Sequence, residues 1–254
     1  MTRTQLVLGF VVVAGGLFPA GAIASTPCPP ATVSVQGGAS VSTPCNQTAP
    51  PASGNGSYST DFSQNENPIS EGGKWENKFT RTFAAYVSTS GGRAFGLGSS
   101  GYNDSVAMLT GTYGRDQTIT ATAYRGGSSG AAEIELHLRM RMVPSSEEIY
   151  TYEVDICPSL GAVALVKWAG VQGQFTRLAE VTFDGVADGD VFTASAIGPG
   201  NSTVFTIKKN GKTILTYTDT SAFTTGNPGI GFDAGTPSAG QNLGWTSYSV
   251  TTAN

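Results

Sequence analysis

Charge is scarce in this chain, and cations are scarcer than anions: 14 Lys and Arg stand against 18 Asp and Glu in 254 residues, with a single histidine. That balance excludes the clustered cations that nucleic-acid phosphates require, and it leaves little to hold a polyanion by charge alone. The three cysteines and the histidine show no zinc-ligand spacing, so a zinc-built module is excluded as well. No long stretch repeats an apolar residue every third or fourth position between helix caps, which removes helices from the expected fold. Beyond Ser25 no apolar run approaches the roughly 20 residues that a bilayer crossing needs, so no membrane span is expected.

The amino terminus carries Arg3, an apolar run from Leu6 to Phe18 and a small-residue site at Ala22-Ile23-Ala24. These are the charge, core and cleavage features of a secretory signal peptide, placed at residues 1–24, and they predict a secreted, extracellular protein. Cys28 follows Pro27 where a lipid-attachment site wants a small residue, so no lipid anchor is expected. Residues 25–57 carry no charge and are rich in Pro, Ser, Thr and Gly. They offer little apolar surface to offset the entropy of ordering them, and read as a flexible tail. Export allows disulfides. Cys28 and Cys45 bracket the tail and are the expected pair, leaving Cys157 as a small buried thiol. Pairing of either with Cys157 would instead staple the tail to the core.

Residues 58–254 form one expected domain of short runs such as "QTITATAY", "EIELHLRMRM", "IYTYEVDI" and "DVFTASAI", rich in Thr, Val, Ile and aromatics and punctuated by Gly, Asn, Asp and Pro. In "TIKKNGKTIL", Asn210-Gly211 supplies the two positive-φ residues of a type I′ hairpin turn. Many short antiparallel strands in a chain of this length predict an all-β, antiparallel two-sheet β-sandwich of jelly-roll type. "DGVADGDV" offers Asp184, Asp188 and Asp190 as oxygen ligands without the rest of a calcium loop. It reads as a turn entering a strand; no cofactor is expected, with structural calcium as the alternative.

One strand stands apart. In "AAEIELHLRM", Glu133, Glu135, His137 and Arg139 alternate with Ile134, Leu136, Leu138 and Met140, so the charged set should share one face with neighbours about 7 Å apart. On a solvated flank such a row is ordinary surface polarity, each exposed ion pair contributing about 0–1 kcal/mol. Lining a hollow, it could act in three ways. Two carboxylates fit a glycosidase pair. His137, or Tyr150 or Tyr152, could carry the proton of an eliminating lyase with Arg139 stabilising a sugar carboxylate. Carboxylates and Arg could simply hydrogen-bond sugar hydroxyls while Tyr102, Tyr124, Tyr152 or Trp168 covers a ring face. Glu153 and Asp155 of "YTYEVDI" would extend the same surface if that strand lies alongside. Trp75 and Trp245 read as core, and Trp168 as core or groove.

"EIELHLRM", "ALVKWAG", "DGDV", the hairpin at Asn210-Gly211 and "TGNPGIGFD", in that order, resemble secreted bacterial proteins of the concanavalin A-like lectin/glucanase superfamily over most of residues 58–254. The resemblance implies a jelly roll that handles polysaccharide or oligosaccharide. Against the Glu-x-Asp-x-Glu or Glu-x-Asp-x-x-Glu strand of its β-glucanases only Glu133 matches: Glu135 replaces the middle Asp, and His137 and Leu138 stand where the last Glu would be. The Arg-x-Glu-x-Arg strand of its alginate lyases is not reproduced. The leading expectation is therefore carbohydrate binding by Glu133, Glu135, His137, Arg139, Tyr124, Tyr152 and Trp168. Behind it stand a polysaccharide lyase or glycoside hydrolase with Glu133, Glu135, His137 and Arg139 as catalytic groups, and a structural coat or adhesion protein.

Overall fold

The computed structural model describes residues 56–77, 85–97, 104–127, 132–171, 174–234 and 240–254. The expected signal peptide, all but the last two residues of the expected tail, Cys28 with Cys45, and Tyr102 lie outside them. The strands are β1 Ser57–Thr60, β2 Trp75–Glu76, β3 Val87–Thr89, β4 Ala94–Gly96, β5 Asp104–Leu109, β6 Asp116–Arg125, β7 Glu133–Val143 and β8 Glu148–Cys157. They continue as β9 Ala162–Val171, β10 Phe175–Thr182, β11 Val191–Ile197, β12 Thr203–Lys209, β13 Lys212–Asp219, β14 Asn227–Asp233 and β15 Leu243–Ala253.

Among the described residues they form two sheets, one in the order β13-β12-β11-β6-β15-β4-β3 with β1 also on β15, the other β10-β9-β8-β7-β14-β5-β2. All pairings between these strands are antiparallel. The all-β two-sheet sandwich expected from the sequence is the observed architecture. At the β12–β13 hairpin Asn210 and Gly211 have φ of 50° and 79°, with Lys209 opposite Lys212, as a type I′ turn demands.

The two sheets bury their faces differently. In β6, Ile119, Ala121 and Ala123 point into the sandwich while Thr118, Thr120 and Thr122 point out, half-buried, and β11 and β15 repeat the pattern. This is the alternation of a sheet with one solvated face. The inner faces meet in one core that includes Ile134, Leu136, Leu138, Val154, Ile156, Phe192, Phe205, Trp75 and Trp245. In β7 and β8, by contrast, residues of both faces are buried, and a second cluster of Val106, Met140, Ile149, Ala164, Val166 and Trp168 covers part of the outer side.

β7 does not keep its alternation to the end. Its pairing with β8 slips between Leu138 and Arg141, and Arg139 sits at φ 54°. This is a β-bulge, and one extra residue moves every later side chain to the opposite face. Arg139 therefore turns into the sandwich and Met140 out into the second cluster, exchanging the faces expected for them. Gly226 makes the bulge fit: a Cβ there would lie 2.2 Å from the Arg139 carbonyl oxygen. The bulged Arg139 N–H donates to Gln117 Oε1 at 2.8 Å, so it is not left unsatisfied.

Candidate functional site

On the outer face of the seven-stranded sheet, β7 contributes Glu133, Glu135 and His137. The register places Asp155 of β8 opposite Glu135 and Glu153 opposite His137. On the other flank β14 places Gly231 opposite Glu135 and Gly229 opposite His137, with Asp233 opposite Glu133 and Asp104 of β5 beyond it. The two glycines leave room for their neighbours. A Cβ on Gly231 would lie 2.1 Å from Glu135 Oε2 and 2.4 Å from His137 Nε2, so both side chains lean across a strand position that has no side chain of its own.

The residues so gathered are buried, with Glu135 3%, His137 1%, and Glu153 and Asp155 each 9% exposed. A solvated strand flank, the plainest expectation for the row, is thereby corrected: these charges have been taken from water, where the cost of an unpaired carboxylate is large. His137 Nε2 lies 3.0 Å from Glu135 Oε2 and its Nδ1 lies 3.3 Å from Thr151 Oγ1. Trp168 Nε1 donates to Glu153 Oε2 at 2.5 Å. Ligand atoms of Glu135, His137 and Glu153 all fall within 4.8 Å of one another. Asp155 and Glu133 share a hydrogen bond, while Asp155 Oδ1 is buried with no partner.

Burial sets the proton affinities, and like charge reinforces it. Glu133 is pushed up to about 8 by burial, then by the charges of Asp155 and Asp233. Asp155 is raised to about 6, again chiefly by burial, with Arg177 pulling the other way. Glu135 is held well above the usual carboxylate range by burial and then by the charges of Glu153 and Asp104, and Glu153 by burial and then by those of Asp155 and Asp104, with the Trp168 hydrogen bond opposing. Burial lowers His137 to about 3, so its ring is neutral at physiological pH.

The other expected site residues go elsewhere. Arg139 is fully buried inside the sandwich, donating to Arg115 O at 2.8 Å, Thr203 Oγ1 at 2.9 Å, Phe223 O at 2.5 Å and Gly198 O at 3.2 Å. The reason is the bulge, which the alternation of the sequence did not contain. Tyr152 is core: its ring is 4.2 Å from Phe205 and its hydroxyl donates to Asp219. Tyr150 lies on the same inner side, 5.9 Å from Phe223. Tyr124 belongs to the opposite sheet, on its outer side beneath the Arg93 guanidinium at 4.1 Å. Trp168 does share the face with Glu135 and His137, stacked 5.0 Å from Phe175, which is 50% exposed. Asp104, Asp233 and Thr151 were not anticipated. They sit at strand ends or in a tyrosine-rich run, and only the register brings them to the row.

The Asp184–Asp190 segment is a turn entering β11. Lys209 Nζ lies 2.7 Å from Asp184 and 3.2 Å from Asp190, and Asp188 accepts the Arg125 N–H at 3.1 Å. Cys157 is a buried free thiol, 3.3 Å from Ser159 Oγ.

No family model and no curated protein matches the chain. Among solved structures, the potassium-bound form of the Emp46p carbohydrate recognition domain is similar at a TM-score of 0.51 and 12% identity, over 71% of this chain and 89% of that one. The fold is a concanavalin A-like jelly roll. The carbohydrate binding module CBM66 from Bacillus subtilis aligns at a TM-score of 0.46 and 16% identity, over 74% of this chain and 97% of that one. An endo-1,3-beta-glucanase from Streptomyces sioyaensis gives 0.47 and 10%, over 82% and 100%. At 12% identity the likeness to the Emp46p domain speaks to the fold and not to what its faces do. No helix among the described residues is long and apolar enough to cross a membrane.

Proposed function

We propose that this jelly roll is an exported carbohydrate-binding protein whose site is the outer face of the seven-stranded sheet. The observation that carries the reading is the joining, on one face, of a row of carboxylates to an aromatic pair. Carboxylates accept charge-assisted hydrogen bonds from sugar hydroxyls, and an exposed ring covers the apolar face of a pyranose. Asp155 supplies a carboxylate acceptor beside the partly buried Glu133, whose carboxyl group can donate or accept, while Phe175 on its Trp168 backing supplies the ring. Arg139, Tyr124 and Tyr152 have no part in it, because they point into the core or lie on the other sheet. The test is affinity electrophoresis of the purified domain against a panel of neutral and acidic polysaccharides. Retardation on at least one glycan is expected, abolished by Glu133→Gln and weakened several-fold by Phe175→Ala. Equal mobility of all three proteins on every glycan would overturn the reading.

One observation favours a second reading, cleavage of the glycan. With its proton affinity raised to about 8, Glu133 keeps a proton at neutral pH beside the more acidic Asp155, the division of labour between general acid and carboxylate that glycoside hydrolysis uses. Reducing ends or unsaturated products released by the wild type, and not by Glu133→Gln, would select it over binding alone.

A further inference from the structure

We infer that a cleft at one end of the sandwich, between the β5–β6 and β13–β14 loops, is a ligand site for a sugar acid: a carboxylate carried on a hydroxylated ring, as in a hexuronate. It shares no residue with the carboxylate face of the seven-stranded sheet and does not depend on how that face is read.

The cleft has a volume of about 390 Å³ and is lined by residues that include Gly111, Tyr113, Arg115, Thr225, Gly226 and Asn227. Sites for small molecules run from roughly 300 to 1,000 Å³. Its two loops are held together from behind. Gln117, fully buried in β6, donates from Nε2 to Gly114 O at 3.2 Å and to Gly226 O at 2.8 Å. The Gly114 N–H donates to Thr252 Oγ1 at 2.9 Å, and the Arg115 carbonyl accepts the Arg139 Nε–H at 2.8 Å. Both walls are therefore fixed before a ligand arrives, which lowers the ordering cost of binding.

Charge selects an anion. Among the described residues that line the cleft, Arg115 has the only charged side chain. That side chain is 35% exposed, and its polar contact is from Nε to Asp116 Oδ1, at 3.4 Å. The same oxygen accepts the Gly198 N–H at 3.0 Å and lies 3.8 Å from Arg139 Nη2, so one carboxylate is divided between two guanidinium groups. The Nη groups of Arg115 remain as a fork of donors. A planar carboxylate meets such a fork with two charge-assisted bonds, which a point cation such as Lys does not reproduce.

Asn227 adds the opposite polarity. Its Nδ2 donates to Leu109 O at 2.8 Å and to Gly111 O at 3.1 Å, so both amide hydrogens are used and Oδ1 is left as an acceptor. An acceptor in the same cleft as the guanidinium calls for a hydroxyl donor, which a sugar acid has and a simple carboxylate lacks. Tyr113 offers a ring for the apolar face of the sugar. It is packed on Gly56, where a Cβ would come within 3.0 Å of its Cδ1.

The experiment titrates the full, isotope-labelled chain with sodium D-glucuronate, D-glucose or sodium acetate and follows backbone amide and Arg Nε–H resonances by NMR. Glucuronate should shift Gly111, Thr112, Gly226 and the Arg115 Nε–H in a saturable way. Glucose should bind about tenfold or more weakly, the scale of a lost charge-assisted hydrogen bond, and acetate several-fold more weakly than glucuronate. Arg115→Gln should remove the shifts, and Arg115→Lys, which keeps the charge and loses the fork, should weaken binding several-fold. Lys212→Gln, which removes an equal charge outside the cleft, should leave the affinity unchanged. Absence of saturable shifts, equal affinity for glucose, equal affinity for acetate, which would mean an adventitious anion only, or glucuronate binding that survives both Arg115 variants unchanged would each overturn the inference. Because the readout lies in the cleft, its failure leaves the outer-face reading standing, and loss of polysaccharide binding by Glu133→Gln leaves the cleft standing.

Discussion

The molecule buries charge in two places and treats it in opposite ways. At the β7 bulge, Arg139 is fully buried, yet carbonyl and hydroxyl oxygens from three other segments meet its guanidinium. Nearby, Asp219 is met by Lys167 at 2.8 Å, by the Tyr152 hydroxyl and by Ser221. On the outer face of the same sheet, Glu133, Glu135, Glu153 and Asp155 are gathered with one neutral histidine, and burial, reinforced by neighbouring carboxylates, raises the proton affinity of all four. The first region is complete within the chain and holds the two sheets together. In the second, no Lys or Arg among the described residues forms an ion pair with Glu135 or Glu153. A buried charge identifies a functional site only after its partners have been counted.

The largest effect should come from breaking the completed region. Arg139→Met removes the donor to three carbonyls and leaves those acceptors buried, a loss of about 3–5 kcal/mol, the scale for one partner of a buried charged network. Urea unfolding should show it as a lowered midpoint; a loss below 1 kcal/mol would erase the contrast. Gly231→Ala tests the other region sterically. Its Cβ would lie 2.1 Å from Glu135 Oε2, so the Glu135–His137 pair must move, costing about 1–3 kcal/mol, read as a lowered urea midpoint.

Acid separates the two regions by sign. Burial alone would raise Asp219, but the bonds from Lys167, Tyr152 and Ser221 outweigh it and hold it down to about 2. Its folded proton affinity is below the unfolded value, so its stabilisation of about 2 kcal/mol is present above pH 4 and lost as pH falls toward 2. Asp219→Asn should flatten that acid limb in a series of denaturant midpoints. Glu133 has the reverse sign. Its folded value of about 8 lies above the unfolded 4.5, so the protein loses stability as pH rises between them. Glu133→Gln should reduce that slope, and an unchanged slope would mean that Glu133 is ionised in the folded state. The smallest effect belongs to the exposed Arg177–Glu180 pair, where Glu180→Gln should change stability by less than about 0.5 kcal/mol.

Much of the carboxylate face was legible. The period of two in "EIELHL" and "YTYEVDI" assigns Glu133, Glu135 and His137 to one side of a strand and Glu153 and Asp155 to one side of another. What no period could show is that these strands pair with Glu135 against Asp155, or that Gly229 and Gly231 flank them. Arg139 was misplaced for a related reason. "RMRM" alternates equally well with its faces exchanged, so the bulge leaves no trace in the pattern of β7 itself. Its determinants, Gly226 and Gln117, lie 87 and 22 positions away in sequence. Tyr152 was legible as facing away from Glu153, and its core position follows from that alternation alone.

By itself the sequence determined what depends on neighbours along the chain: an all-β composition, the faces of most strands, and the Asn210-Gly211 turn, whose two positive φ angles only such residues adopt readily. Tertiary structure alone decided which faces are covered, where β7 changes register, and which carboxylates meet across neighbouring strands. Those outcomes depend on backbone hydrogen bonds and side-chain packing between segments far apart in the chain, and neither has a local period to read.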